Sequence, residues 1–261
     1  MHPISLFSAA LLAATSALAQ PPELPPVRII LVGDSTVALH NGWGPGFCDR
    51  VVQQVECLNM AKNGRSSSSY RAEGSWQNVL DQVRANPDHR VTYVLIQFGH
   101  NDQPGKPGRS TALATEFPAN LRRYVREVKA AKGKAVLVTS LTRRSFRDGK
   151  VNDDLEPWAE ATKRVAAEEG VPVLDLHAES LAAVQQMGPV EANTLAMAPP
   201  PSAVADSAAT GTSLPAPKAD GDAGPVFDYT HLGAKGSAFF GRMVAAELVK
   251  AIPDLQPFLR P

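Results

Sequence analysis

Cysteine is almost absent: the 261-residue chain contains two, Cys48 and Cys57. That pair fits neither a zinc site nor a C-x-x-C redox motif, and no His/Cys/Asp cluster elsewhere has the spacing of metal ligands. A phosphate-cradling glycine loop is missing, as are a Gly-x-Ser-x-Gly elbow and any internal repeat. An excess of charge of one sign is missing too. Lys+Arg and Asp+Glu balance at 26 each, which argues against nucleic acid as the main partner. Beyond the N-terminus no apolar run is long enough to span a bilayer, so no membrane association is expected. No metal or other cofactor is expected.

What is present is ordinary for one globular domain. The chain is 44% hydrophobic and 20% charged, enough to bury a real core. Residues 1–19 read as a secretory signal, with an apolar stretch around residues 9–14 and an Ala17-Leu18-Ala19 cleavage site before Gln20. The expected mature protein is secreted or periplasmic and starts at Gln20, with a single domain over 20–261. In an exported chain Cys48 and Cys57 are either bridged or two buried free thiols, and a bridge is the expectation.

The run Val27-Arg28-Ile29-Ile30-Leu31-Val32 is apolar and β-branched and leads into Gly33-Asp34-Ser35-Thr36. It predicts a buried strand that leaves Ser35 just past its carboxyl end, where open α/β sheets bind ligands. Further strands are expected over 58–61, 91–98, 135–140 and 171–176, the last at an edge because of Pro172. Helices are expected over 47–54, 76–85, 117–131, 155–169 and 230–252. Strands alternating with helices predict a parallel sheet covered on both faces. Residues 188–225 are rich in Ala and Pro and predict a long, mobile surface loop.

Ser35 needs a base, an orienter for that base and oxyanion donors to act as a nucleophile. Asp228-Tyr229-Thr230-His231 precedes the last expected helix and places a carboxylate three residues before an imidazole. Asp228 would hold one ring nitrogen, and the other would take the Ser35 proton. The Ser35 and Gly64 N–H groups and the Asn101 side chain, each just past an apolar run, are the candidate oxyanion donors. His40, His89 and His177 have no carboxylate so placed.

In this order, Gly33-Asp34-Ser35, Gly64, Gly99-His100-Asn101-Asp102 and Asp228-x-x-His231 resemble the SGNH, or GDSL-type, hydrolase superfamily. The resemblance implies a flavodoxin-like three-layer α/β/α sandwich on a five-stranded parallel sheet. It also implies that Ser35, Gly64, Asn101 and His231 fill the family's four invariant roles, with Asp228 as the triad acid. Gly42-Trp43-Gly44, Asn63-Gly64-Arg65-Ser66, Glu73-Gly74-x-Trp76 and Arg143-Arg144-x-Phe146 look like the rhamnogalacturonan acetylesterase branch. The 188–225 insertion is longer than that pattern has. The branch implies a metal-free esterase that removes O-acetyl groups from plant cell-wall polysaccharide. The alternatives are an esterase of acetyl-xylan or acetylated oligosaccharides, a GDSL-type lipase or thioesterase, and a non-catalytic carbohydrate-binding protein. Arg65, His100, Arg143, Arg144 and Trp76 are the expected substrate-binding residues: arginine for uronate carboxylates, tryptophan for sugar rings. A monomer is the expected state.

Overall fold

The computed structural model describes residues 26–85, 91–217 and 226–260. The expected signal segment and residues 218–225 of the Ala/Pro-rich stretch lie outside the described residues.

The chain runs β1 (Val27–Gly33), α1 (Gly44–Cys48), β2 (Val55–Asn59), α2 (Ser69–Ala72), α3 (Ser75–Arg84) and β3 (Val91–Gln97). Next come α4 (Glu116–Ala130), β4 (Lys134–Val138), β5 (Phe146–Arg147), β6 (Lys150–Val151) and α5 (Glu156–Glu169). Then follow β7 (Val173–Leu174), α6 (Leu176–Asn193), α7 (Ser202–Ala209) and α8 (Ala234–Ala251), with a short 3-10 helix over Pro253–Phe258 after them. Five strands form one parallel sheet in the order β2-β1-β3-β4-β7. β5 and β6 make a small separate antiparallel pair.

The unbroken apolar strands are explained by their two covered faces. Along β1, Val27, Ile29 and Leu31 enter one core, and Ile30 and Val32 enter the other. β3 and β4 alternate likewise, Leu95 and Val136 on the first face, Val94 and Leu137 on the second. The first core is closed by Phe47 of α1, Val184 of α6 and Phe240, Val244 and Leu248 of α8. The second is closed by Val79 of α3, Leu121 and Tyr124 of α4 and Val165 of α5. This is the α/β/α sandwich of the doubly wound class, in the strand order that puts the switch point between β1 and β3. Ser35 follows β1 at that point.

Three sequence readings of the elements change. The second strand is Val55–Asn59 rather than 58–61, because its register is set by pairing with β1, Ile29 opposite Cys57. The first helix stops at Cys48, and Cys48 is disulfide-bonded to Cys57 in β2. The Ala/Pro-rich stretch is not a bare loop over its described part. The chain breaks at Gly188-Pro189 within α6, then forms α7, whose Val204 packs with Phe227 and Tyr229 in a third small core. Alanine forms helix readily, and Val204 and Ala208 give that helix a buried side.

Candidate active site

Asp34 shapes the turn that carries Ser35. Its Oδ1 accepts from the Thr36 N–H at 2.9 Å and the Thr36 hydroxyl at 2.7 Å. Its carbonyl accepts from the Val37 and Ala38 N–H groups. Gln97, at the end of β3, donates to Thr36 Oγ1 at 2.6 Å and accepts from the Trp43 indole N–H at 2.9 Å. Trp43 is therefore core, and the turn is fastened to the neighbouring strand. Burial alone would raise the Asp34 carboxyl; His100 and the two Thr36 donors outweigh it and hold it below the usual carboxylate range.

Across the cleft, 196 residues later, the Ser35 hydroxyl lies 2.8 Å from His231 Nε2. His231 Nδ1 lies 2.6 Å from Asp228 Oδ2. The other Asp228 oxygen accepts the Thr230 and His231 N–H groups at 2.6 and 2.7 Å, closing the loop on itself. Burial works to raise the Asp228 carboxyl, but the His231 ring and those N–H groups bring it down to about 2. An anionic Asp228 fixes the proton on Nδ1 and leaves Nε2 as an acceptor facing Ser35.

Arg144, expected to bind substrate, is instead fully buried behind this loop. Its N–H donates to the Tyr229 carbonyl at 2.9 Å. Its guanidinium donates to the carbonyls of Asp228 at 2.7 Å, His231 at 3.0 Å and Thr230 at 3.3 Å. All four carbonyls of Asp228-Tyr229-Thr230-His231 are thus held by one residue. Burial lowers the Arg144 pKa to about 10, with Asp228 pulling the other way, so it stays a cation at neutral pH. Trp76 is corrected as well: it is 3% exposed, edge-on to Tyr124, and its indole N–H donates to Glu127. Neither residue reaches the catalytic cleft: Arg144 lies behind the Asp228–His231 segment and Trp76 packs into the second core.

On the other side of Ser35, Gly64 has φ +74°, a conformation that glycine adopts without strain. Neither the Ser35 N–H nor the Gly64 N–H donates to a protein acceptor among the described residues. The Asn101 amide spends one N–H on the Arg65 carbonyl at 3.1 Å, and Arg109 approaches its Oδ1 at 3.3 Å, so the second N–H remains. Asp102 ties these loops together, accepting from the Ser67 hydroxyl at 2.6 Å and the Thr111 hydroxyl at 2.8 Å. Burial pushes the Asp102 carboxyl up to about 6 despite those donors.

A cavity of about 310 Å³ opens over Ser35, Gly64, Asn101 and His231. His100 and Arg143 line it as expected residues; Asn41, Asn63, Lys106, Arg109 and Thr230 line it without having been singled out. The signal for Lys106 and Arg109 was their place on the loop after Asn101-Asp102. Burial holds His100 neutral at pH 7, with Asp34 3.6 Å from its ring opposing that shift. Arg143 is engaged with Asp154 at 3.0 Å, Gln103 at 2.7 Å and Thr230 at 2.5 Å. Arg65 pairs with Glu73 at 2.8 Å and lies outside the cavity wall. Among the described residues, no group of three or more His, Cys, Asp or Glu is placed to hold a metal ion.

Residues 31–239 match the GDSL-like lipase/acylhydrolase family. The rhamnogalacturonan acetylesterase RhgT of Bacillus subtilis is 34% identical over 178 residues, covering 65% of this chain and 73% of that protein. The probable rhamnogalacturonan acetylesterase YesY of the same organism is 32% identical over 168 residues, covering 62% and 75%. In fold, the chain is similar to the Bacillus subtilis protein YXIM, with a TM-score of 0.66 at 22% identity, over 88% of this chain and 57% of that one.

Proposed function

The chain belongs to the GDSL-like lipase/acylhydrolase family, and from that premise we propose a serine esterase that removes O-acetyl groups from carbohydrate, with acetylated rhamnogalacturonan as its polymer. The observation that carries the reading is the line Ser35 Oγ to His231 Nε2 at 2.8 Å and His231 Nδ1 to Asp228 Oδ2 at 2.6 Å, opening on a polar cavity. Ser35 Oγ attacks the acetyl carbonyl carbon while its proton passes to His231 Nε2. The oxyanion is held by the Ser35 N–H, the Gly64 N–H and the free Asn101 amide N–H. His231 returns the proton to the leaving sugar hydroxyl, which gives an acetyl-Ser35. Water, deprotonated by His231, then releases acetate and restores the serine.

The choice of polymer is supported by two relatives named as rhamnogalacturonan acetylesterases, each more than 30% identical. A lipase reading is disfavoured by the cavity wall, which is built from Asn, His, Lys and Arg rather than aliphatic side chains. The leader read at residues 1–19 and the Cys48–Cys57 bridge support export to an oxidising compartment.

The test is acetate release from acetylated rhamnogalacturonan, with acetylated xylan and a medium-chain acyl ester in parallel. Release from the pectic polymer is expected. Ser35→Ala is expected to lower kcat by about 10⁴ or more with folding intact. Release from xylan alone would move the proposal to another polymer, and near-normal turnover by the variant would remove Ser35 from the nucleophile role.

A further inference from the structure

Three cations line the cavity over Ser35, and they are not equivalent. Arg143 is paired with Asp154 and also donates to Thr230 and Gln103. Lys106 and Arg109 have no carboxylate partner among the described residues. Lys106 is half-buried, and its Nζ donates to the His100 carbonyl, leaving two N–H donors. Arg109 is also half-buried. Its Nη1 reaches the Asn101 Oδ1 at 3.3 Å and the Gly64 carbonyl at 3.5 Å, long contacts that leave most of its five donors unspent.

The loop that carries them is built rather than loose. Thr111 closes it onto Asp102 through both its N–H and its hydroxyl. Within it, the Arg109 and Ser110 N–H groups donate to the Lys106 carbonyl, and the Lys106 N–H donates to Ser110 Oγ at 2.9 Å. That turn puts both cations on the cavity side of the loop. Burial first, then Arg143 and Arg109, lowers the Lys106 pKa, while Asp34 and Asp154 act against that shift without forming an ion pair with the ammonium. Half-buried cations without a paired carboxylate are costly, and an anion arriving from outside offsets that cost.

We propose that Lys106 and Arg109 form a carboxylate subsite beside the acyl site, so that the preferred ester sits on a chain bearing uronic-acid carboxylates rather than on a neutral one. Its position relative to the acetyl group rests on the esterase reading above, but its ligand does not. A neutral acetylated glycan would leave both cations unpaired. An acidic one gains two charge-assisted contacts next to the oxyanion donors.

Hydrolysis of p-nitrophenyl acetate tests the Ser35 site without engaging a carboxylate. Unacetylated galacturonate oligomers, added as inhibitors of that reaction, test the subsite, and their methyl esters are the neutral probe. The acid form is expected to inhibit with a Ki about tenfold lower than the methyl ester at low salt. The difference is expected to shrink at about 0.5 M salt, and to fall within about twofold in Lys106→Met. Equal inhibition by acid and ester, or inhibition by neither, would overturn the subsite. Should ester hydrolysis fail while calorimetry still detects the acid oligomer binding more tightly than its methyl ester, the esterase reading would fall and the subsite would stand.

Discussion

Arg144 shows how much of a site can rest on a residue that never meets the substrate. It holds the four carbonyls of the Asp228–His231 segment, while Asp228 holds two of that segment's N–H groups. A lysine keeps the charge but is a single point donor, unable to reach three carbonyls from one planar fork. Arg144→Lys is therefore expected to lower kcat by about 10–100-fold with little change in KM for a small ester, because a shift of about 1 Å in His231 is enough. Steady-state kinetics on p-nitrophenyl acetate, read as kcat against KM, checks this; a kcat within twofold of normal would show that the loop holds itself. The residue types at Ser35, Gly64, Asn101, Asp228 and His231 were legible because each sits at a strand end or before a helix, in a pattern with few other uses. Arg144 was not legible as a buried group, because its neighbours in the sequence resemble a surface loop and only the fold brings Asp228 to it. Trp76, at the start of an expected helix, could be read as core packing as readily as a sugar platform, and only the fold brings Glu127 to it. Lys106 and Arg109 were passed over for the converse reason: in the sequence they stand among Pro and Gly, like any exposed turn.

At the scale of elements, His231 depends on where α8 lies, since that helix begins three residues later at Ala234. α8 crosses α1 at close range. A Cβ on Gly241 would stand 2.3 Å from the Gly46 carbonyl carbon and 2.4 Å from the Phe47 nitrogen, backbone atoms that cannot turn aside. Gly241→Ala is expected to cost at least about 1–3 kcal/mol, a fall of about 2–12 °C in Tm for a chain of this size. Activity should fall with it as His231 is displaced from Ser35. Thermal unfolding followed by circular dichroism, with kcat on the same preparation, checks both, and an unchanged Tm would mean the helices simply part. This crossing could not be read from the sequence, where Gly46 and Gly241 are two glycines almost two hundred positions apart. The strands and long helices were legible because their periodicity is local. The register of β2 was not, since it is decided by β1, and α6 was passed over because a break at Gly188-Pro189 obscures its pattern. α7 was passed over because its alanines sit among prolines that suggest a loop.

For the molecule as a whole, equal numbers of acidic and basic residues leave no large net charge to govern stability against pH, so individual buried groups decide it. Asp228, with a folded pKa of about 2, lies below the ordinary carboxylate value. The folded state therefore holds fewer protons than the unfolded chain between about pH 2 and 4, and the stability Asp228 contributes above that range is lost as pH falls through it. Asp102, raised to about 6 by burial, has the opposite sign. Between about pH 4 and 6 the folded state keeps a proton the unfolded chain has released, so stability falls as pH rises. His100 acts against Asp102 in part of the same window: buried and held neutral, it loses stability as pH drops below about 6.5. The raw Tm profile mixes the two, but Asp102→Asn separates them, since it removes the titration and retains an acceptor for Ser67 and Thr111. The Tm of the native protein minus that of the variant is expected to be largest near pH 4. It should decline by a few degrees by pH 7, matching about 2–3 kcal/mol for a shift of this size. Differential scanning calorimetry of both proteins across pH 4–7 checks it. A Tm gap that stays flat would mean that the Ser67 and Thr111 donors keep Asp102 ionised throughout, and that the loops carrying Gly64 and Asn101 are joined by a full negative charge rather than a shared proton.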